Sequence, residues 1–215
     1  MLINNLETCL VTGASGFIGE RLIDYLKKHD VKIKVLGRKN LNHCIFSECD
    51  FLNDEIEEEF FEDVDTVFHL AGLAHDIDYK QSVNNFEKLN IDTTKKIANI
   101  SINNKVKNFV FLSSVKAINF DDKDLANLKS EIYGKTKRVA EIYLKKISES
   151  TDMKVNIIRS SLVYGPAMKG NLKNLLKAIN TGWFPKLTKD TNKRSMIYFA
   201  TKPCWFNRVL SAVFF

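Results

Sequence analysis

A glycine-rich stretch near the N-terminus, L-V-T-G-A-S-G-F-I-G at Leu10–Gly19, constrains the fold of this chain more than any other feature. It continues a short apolar run that suits one buried strand, and from Phe17 to Leu26 the apolar residues recur at helical spacing. Glycines let the backbone turn sharply and approach a pyrophosphate, whose charge then rests on the helix N-terminus. The G-x-x-G-x-x-G spacing differs from G-x-G-x-x-G, but strand, glycine turn and helix together favour a dinucleotide site over an inert turn.

Apolar strands alternate with amphipathic helices along the rest of the chain. The pattern predicts strands at Val31–Gly37, Ile45–Glu48, Thr66–Leu70, Asn108–Ser113 and Val155–Arg159. It predicts further helices at Asn53–Asp63, which Asn53 would cap, and at Ser82–Asn103 and Glu131–Ile147. No internal repeat or low-complexity linker interrupts the alternation. We therefore expect an α/β fold with a Rossmann-like, doubly wound parallel sheet.

The charged residues are unevenly divided between two parts of the chain. Residues 1–132 carry 16 Lys and Arg against 22 Asp and Glu, whereas residues 133–215 carry 16 against 4. A basic segment of this kind suits nucleic acid, an anionic small substrate or solvated helix faces. No zinc finger, RNA-binding signature or basic-aromatic stripe accompanies it, so no nucleic-acid partner is predicted. A phosphorylated substrate and solvated faces both stay open.

The apolar runs and the cysteines indicate the cellular compartment of the protein. No apolar run reaches the ~18 residues of a membrane-spanning helix, and Met1–Thr8 lacks the basic-then-apolar order of a signal peptide. The four cysteines, which show neither C-x-x-C spacing nor a partner histidine pair, are Cys9, Cys44, Cys49 and Cys204. They predict reduced packing thiols and no metal site. We expect a cytoplasmic protein without a membrane partner.

The end of the second predicted strand bears on the choice between NAD and NADP. In an NAD-binding Rossmann unit an acidic residue at this point bonds the ribose 2′-hydroxyl. Here the chain has Arg38 and Lys39, which suit a 2′-phosphate and favour NADP. Arg38 stacked on the adenine, or facing solvent, is the alternative interpretation.

Three residues form a candidate catalytic group. Tyr133 and Lys137 lie four apart on a predicted helix and so project from the same face. A nearby ammonium favours the phenolate of a tyrosine, whose ordinary pKa is about 10. Ser114 follows a predicted strand at the sheet edge where ligands of such folds bind. His69, at another strand end, is either an acid–base group or, as is commoner, a packed and hydrogen-bonded histidine.

Together these motifs resemble the extended short-chain dehydrogenase/reductases, the NAD-dependent epimerase/dehydratase group. The matching segments are T-G-A-S-G-F-I-G (Thr12–Gly19), H-L-A-G (His69–Gly72), F-V-F-L-S-S-V-K (Phe109–Lys116), Y-G-K-T-K (Tyr133–Lys137) and V-Y-G-P (Val163–Pro166). They run in order within about Leu6 to Tyr198. Further stretches, among them M-K-G-N-L (Met168–Leu172), resemble bacterial nucleotide-sugar enzymes of surface-polysaccharide pathways.

The resemblance implies roles for named residues. The implied cofactor contacts are Gly13, Ser15, Gly16, Phe17, Ile18, Gly19, Arg38, Asp50, Phe51, Leu70, Ala71, Gly72, Asn90, Tyr133 and Lys137. Tyr133 would take a proton from a sugar hydroxyl, Lys137 would hold the nicotinamide ribose and keep Tyr133 acidic, and Ser114 would hydrogen-bond the reacting oxygen. Asn171 and Arg194 match positions that contact the nucleotide sugar. A helix N-cap for Asn171 and a solvated strand edge for Arg194 are the structural alternatives.

The implied activity is epimerisation of a UDP-sugar. The hydroxyl on the fourth sugar carbon would be oxidised to a ketone, and the hydride would return to the other face. The resemblance is compatible with a homodimer and with NAD or NADP. One alternative is an NADPH-dependent 4-ketoreductase, and another is a non-catalytic remnant that only binds a dinucleotide.

Three departures separate the chain from this pattern. Ser160 and Ile132 stand where prolines are usual, and the pattern stops after Tyr198. The tail at 200–215 is rich in aromatic and aliphatic residues and contains no acidic residue. We expect a dinucleotide-binding domain at 1–199, with the beginnings of a substrate lobe from about residue 166 and a last strand near 195–199. The tail and the largely missing C-terminal lobe suggest a truncated or frame-shifted product.

Overall fold

The structure is a computed structural model, and it describes residues 7–41, 43–74, 82–121, 125, 131–166, 177–182 and 195–198. A six-stranded parallel sheet is its frame. In chain order the strands are β1 (Thr8–Thr12), β2 (Lys32–Gly37), β3 (Ile45–Glu48), β4 (Thr66–His69), β5 (Asn108–Ser114) and β6 (Lys154–Ser160). They lie side by side in the order β3-β2-β1-β4-β5-β6, and every adjacent pair is parallel. The predicted Rossmann-like sheet is confirmed.

The helices that accompany the sheet include α1 (Phe17–Leu26), α2 (Val83–Glu87), α3 (Thr93–Asn103) and α4 (Ile132–Ser150). Residues 177–180 are also helical. A π-turn at Lys88–Asp92 joins α2 and α3, so the helix predicted at Ser82–Asn103 is present with one wide turn in it. Ser82 caps its start, because its hydroxyl accepts a hydrogen bond from the Asn85 N–H at 3.2 Å. Short 3₁₀ helices occupy Glu58–Phe61 and Val115–Asn119.

The two faces of the sheet carry separate hydrophobic cores. Side chains of a strand alternate between faces, so Cys9 and Val11 of β1 belong to one core and Leu10 belongs to the other. α1 covers the first face with Leu22 and neighbouring apolar residues, while α3 and α4 cover the second. Both faces are thus buried, which explains why β1 and β5 are continuous apolar runs in the sequence.

The helix predicted at Asn53–Asp63 is wrong. Asn53 caps no helix there, since its side-chain amide donates to the Asp50 carboxylate at 2.9 Å within a turn. Only Glu58–Phe61 is helical, as a single 3₁₀ turn. The segment contains just three apolar residues among consecutive acids, and like charges three and four apart destabilise an α-helix.

Two smaller expectations concern the last strand and the cysteines. β7 (Leu162–Tyr164) and β8 (Met196–Tyr198) pair in parallel as a second sheet, which confirms a strand near 195–199. Cys9, Cys44 and Cys49 are free thiols, and burial raises the pKa of Cys49 to about 11. Cys204, Asn171, Arg194 and the tail lie outside the described residues. Among the residues the structure describes, no helix is long and apolar enough to cross a membrane.

Candidate active site

The glycine turn packs directly on the chain that leaves β4. Gly13 has a φ of +68°, and a Cβ atom placed on it would lie 2.6 Å from the Ala71 nitrogen. A Cβ on Gly19 would lie 2.3 Å from the Gly13 carbonyl oxygen. Both contacts are too short for any other residue, so the two glycines let β1, α1 and the segment after β4 approach one another.

The same turn leaves its tip and the start of α1 suited to a phosphate. Ser15 and Gly16 are exposed, and Gly16 occupies the N-cap position of α1 without a side chain that could cap the helix. The first N–H groups of an α-helix have no acceptor within the helix, and its dipole attracts anions. The predicted cofactor residues Gly13, Ser15, Gly16, Phe17, Ile18 and Gly19 therefore form one continuous cradle whose chemistry fits a pyrophosphate.

The other predicted cofactor residues follow the C-terminal ends of neighbouring parallel strands. Arg38 comes directly after β2 and is exposed. Asp50 and Phe51 follow β3; the Asp50 carboxylate accepts hydrogen bonds from the Leu52 N–H and the Asn53 amide, at 3.3 and 2.9 Å. Since all strands are parallel, these residues and those after β4 lie along one edge of the sheet.

Ser114 and Tyr133 meet where α4 begins beside the end of β5. Their side chains are hydrogen-bonded, and the Ser114 hydroxyl accepts from the Lys116 N–H at 3.2 Å. Gly134 makes this approach feasible, because a Cβ there would lie 2.7 Å from the Lys116 carbonyl oxygen. The structure thus brings two of the three predicted catalytic residues into contact.

Lys137 lies one turn along α4 from Tyr133 and is only 3% exposed. Its ammonium donates to the Leu112 carbonyl at 3.0 Å and lies 4.6 Å from the centre of the Phe111 ring. Burial lowers the pKa of Lys137 to about 8, and the nearby Glu141 carboxylate opposes that shift. The Lys137 ammonium therefore loses its proton only slightly above neutral pH.

The expectation that Lys137 lowers the pKa of Tyr133 is wrong for the structure as it stands. Burial raises the pKa of the Tyr133 phenol, and the hydrogen bond with Ser114 is what opposes the shift. The cause is placement: helical spacing puts Lys137 on the correct face, but its ammonium is bonded to the strand carbonyl. Ser114 is thus the group that favours the phenolate here.

Asn90 lies in the π-turn and joins the segment after β4 to α4. Its side-chain oxygen accepts from the Leu73 N–H at 2.8 Å, and its amide nitrogen donates to the Thr136 hydroxyl at 3.0 Å. A Cβ on Gly72 would lie 2.9 Å from the Lys137 Nζ and 3.1 Å from the Asn90 Oδ1. The predicted residues Gly72, Asn90 and Lys137 therefore meet at one place, next to Thr136 on α4.

Of the two alternatives for His69, an acid–base group or a packed and hydrogen-bonded histidine, the structure shows the second. Its Nδ1 lies 2.7 Å from the Thr12 hydroxyl, and its Nε2 lies 2.9 Å from the Thr94 hydroxyl. The Thr94 hydroxyl donates to the Asn90 carbonyl at 2.8 Å, so it accepts from Nε2–H, and Nδ1 accepts from Thr12. Burial lowers the pKa of His69 to about 3. We call the neutral group Thr12, His69, Thr94 and Asn90 the histidine network.

The sequence reasoning missed a second buried group, which we call the carboxylate network: Ser113, Arg138, Glu141 and Arg159. The Glu141 side chain is completely buried and accepts from the Ser113 hydroxyl at 2.6 Å and from two nitrogens of Arg159 at 2.9 and 2.7 Å. Its position four residues after Lys137, on the same helix face, was the available signal. Lys116 was also missed, and its ammonium lies 6.0 Å from the centre of the Tyr133 ring.

Asn171 and Arg194, the predicted sugar contacts, are outside the described residues, so their placement stays a prediction. Within the described ranges, no group of three or more His, Cys, Asp or Glu side chains could hold a metal ion.

The chain is similar to proteins of known family. Residues 9–199 match the Epimerase domain, described as the NAD dependent epimerase/dehydratase family. The chain belongs to this family. The match covers every strand of the six-stranded sheet except the first residue of β1, as well as the whole of the candidate site.

Individual relatives agree with that assignment. The chain is 30% identical over 208 residues to a UDP-glucose 4-epimerase of Vibrio cholerae, covering 89% of this chain and 62% of that protein. It is 29% identical to an N-acetyl-alpha-D-glucosaminyl-diphospho-ditrans,octacis-undecaprenol 4-epimerase of Escherichia coli O157:H7, covering 89% of this chain and 60% of that one. The chain thus spans about three fifths of the length of these curated relatives.

A solved structure agrees in fold. The UDP-N-acetylglucosamine 4-epimerase from Methanobrevibacter ruminantium M1, in complex with UDP-N-acetylmuramic acid, superimposes with a TM-score of 0.71 at 27% identity. The match covers 90% of this chain and 69% of that structure.

Proposed function

We propose that this family member is an NAD(P)-dependent 4-epimerase of a nucleotide sugar, with a UDP-sugar as substrate and a 4-keto intermediate. The observation that carries the proposal is the hydrogen-bonded pair of Tyr133 and Ser114, with Lys137 one helical turn away, beside a glycine cradle that fits a pyrophosphate. The 4-epimerases among its relatives support the choice of reaction. Surface-polysaccharide biosynthesis is the setting we propose.

The residues divide the chemistry between them. A bound nicotinamide dinucleotide would supply the hydride acceptor and later the hydride donor. In the oxidation half, the Tyr133 oxygen accepts the proton of the sugar 4-hydroxyl. The Ser114 hydroxyl forms a hydrogen bond with that sugar oxygen. In the reduction half, the keto sugar has turned, Tyr133 returns the proton to the 4-oxygen, and the hydride would come back to the opposite face of the fourth carbon. Lys137 would hold the nicotinamide ribose.

Burial raises the pKa of Tyr133, and the two half-reactions need different protonation states of its phenol. With burial favouring the neutral phenol, Tyr133 starts as a proton donor, which suits reduction of a ketone. Oxidation needs the phenolate, so the Ser114 hydrogen bond has a larger role in that direction. An epimerase requires both directions from one tyrosine.

A 4-ketoreductase is the second candidate, and the exposed Arg38 after β2 favours it. A guanidinium at this strand end suits the 2′-phosphate of NADP, and reductases consume NADPH. Denaturing the purified 215-residue chain and identifying any released dinucleotide separates the candidates. Tightly held NAD supports the epimerase, exchangeable NADPH supports the reductase, and no bound dinucleotide supports a remnant without catalysis.

Activity of Tyr133→Phe tests the catalytic assignment. Turnover of UDP-glucose or UDP-N-acetylglucosamine should fall by on the order of 100-fold or more, because the general acid–base is lost. Dinucleotide affinity should change little. Tyr143→Phe is the matched control, since Tyr143 lies on the same helix and its hydroxyl donates to Asn99 at 2.7 Å, away from the site. Equal turnover of the two variants would contradict the assignment.

A further inference from the structure

Glu141 is a buried charge that a structural role alone does not explain. Its side chain is 0% exposed, and three groups of the carboxylate network donate to it. Buried ion pairs can often be replaced by apolar residues of similar volume without loss of stability, so burial of this pair needs another reason. The reason we find is its position relative to the candidate active site.

Three successive residues of β5 receive three successive turns of α4. Leu112 accepts from Lys137 through its carbonyl, Ser113 donates to Glu141 through its hydroxyl, and Ser114 is hydrogen-bonded to Tyr133. The Ser113–Glu141 hydrogen bond is 2.6 Å long, and the Lys137–Leu112 hydrogen bond is 3.0 Å long. Together the three contacts join the end of β5 to the face of α4 that carries Tyr133, Lys137 and Glu141.

Charge is the second link between Glu141 and the site. Lys137 lies four residues before Glu141, so their side chains extend from the same face of α4. The other ionisable groups near Lys137 are His69, which burial keeps neutral, and Tyr133, which burial also keeps neutral. The Glu141 carboxylate faces Arg138 and Arg159, and it is the anion that acts on Lys137.

From these contacts we propose that Glu141 is a positioning residue of the active site: it locks α4 against β5 and supplies the negative charge that holds Lys137 as an ammonium. The proposal rests on the proposed function, because it assigns a role to Lys137 in that site. Glu141 touches neither substrate nor cofactor in this scheme and acts through Lys137 and the Ser113–Ser114 strand end.

Glu141→Gln tests the charge directly in the cofactor-free protein. The amide keeps the shape of the side chain and removes its charge, which leaves Arg138 and Arg159 uncompensated beside Lys137. We expect the titration midpoint of Lys137, followed by NMR of isotope-labelled lysine and assigned with Lys137→Arg, to fall by about one pH unit. Glu149→Gln is the control, because Glu149 is an exposed acid on the same helix.

Two further variants complete the test. Glu141→Gln/Arg159→Gln replaces the pair by neutral groups and covers the case in which the single variant does not fold. It should still lower the Lys137 midpoint, because the Arg159 side chain is 31% exposed and its charge is screened. Glu141→Asp keeps the charge but shortens the reach to Ser113; it should keep the Lys137 midpoint and lower kcat with little change in KM.

The outcomes separate this proposal from the proposed function. An unchanged Lys137 midpoint in both Gln variants, equal to that of Glu149→Gln, overturns the role of Glu141. A lowered midpoint together with no turnover of any nucleotide sugar, in the wild type as well, overturns the proposed function and leaves the coupling of Glu141 to Lys137 intact. Where turnover is present, the alkaline limb of the pH profile in Glu141→Gln should move to lower pH by the same amount.

Discussion

Two buried polar networks lie on either side of the candidate active site, and they differ in charge. The histidine network joins β1, β4 and the π-turn through groups that are all neutral. The carboxylate network joins β5, α4 and β6 through a carboxylate and two guanidinium groups. A neutral network holds backbone segments in place without adding a field, whereas a charged one also sets the protonation of its neighbours. The molecule uses the first beside the glycine cradle and the second beside the catalytic lysine.

Arg159→Met disrupts the carboxylate network and should have the largest effect on the free energy of unfolding. It leaves the buried Glu141 carboxylate without its two-nitrogen partner. We expect the free energy of unfolding to fall by about 3 kcal/mol, the lower end for breaking a buried pair, because the guanidinium is partly exposed. Urea unfolding measures it, with Lys154→Met, at the exposed start of the same strand, as the control. A loss no larger than that of the control would show that Glu141 does not depend on Arg159.

Acid titration tests the histidine network, the uncharged one of the two. The folded pKa of His69 is about 3, below its ordinary value of 6.5, so the unfolded chain binds the proton first. Stability from His69 is therefore complete above pH 6.5 and is lost as the pH falls towards 3. The free energy of unfolding should drop by about 1.4 kcal/mol per pH unit, or about 2 kcal/mol by pH 5.

His69→Leu supplies the matching variant for that titration. Its unfolding free energy should be lower than wild type at neutral pH, because the Thr12 and Thr94 hydroxyls lose their partner. Between pH 6.5 and 5 its stability should lose the wild-type slope. An unchanged slope in His69→Leu would mean that another group titrates in this range.

Ser113→Ala gives the smallest of the three effects. Glu141 keeps both bonds from Arg159, so no charge is left without a partner. We expect a loss of about 1 kcal/mol of unfolding free energy, the usual contribution of one hydrogen bond. Ser150→Ala, near the exposed end of α4, is the control. A loss as large as that of Arg159→Met would assign the main support of Glu141 to Ser113.

Local patterns predicted most of the sheet and the groups that line its C-terminal edge. The glycines of the first turn and the four-residue spacing of Tyr133 and Lys137 depend on neighbours in sequence, which is why they could be recognised. The histidine network joins residues 12, 69 and 94, and no short pattern relates such positions. Glu141 was visible as a residue on the Lys137 face, but its burial depends on Arg159 from another strand.

The errors have equally specific causes. Asn53–Asp63 has the composition of a helix but too few apolar residues to bind it to the sheet, so turn hydrogen bonds around Asp50 prevail. For Tyr133 and Lys137, spacing predicted a shared helix face. It could not predict that the ammonium would bind the Leu112 carbonyl, since that acceptor belongs to a strand 25 residues earlier.

The π-turn at Lys88–Asp92 has a consequence for how insertions and deletions would act on this chain. Each residue of an α-helix advances the angular phase by about 100°, so a five-residue turn resets the phase between α2 and α3. Asn90 can thereby face Thr136 on α4 while Ile97, further along, faces the core of the sheet. Removing one residue from the π-turn would restore a regular helix and rotate α2 and Asn90 away from their partners. The same removal within an exposed loop would leave both alignments untouched.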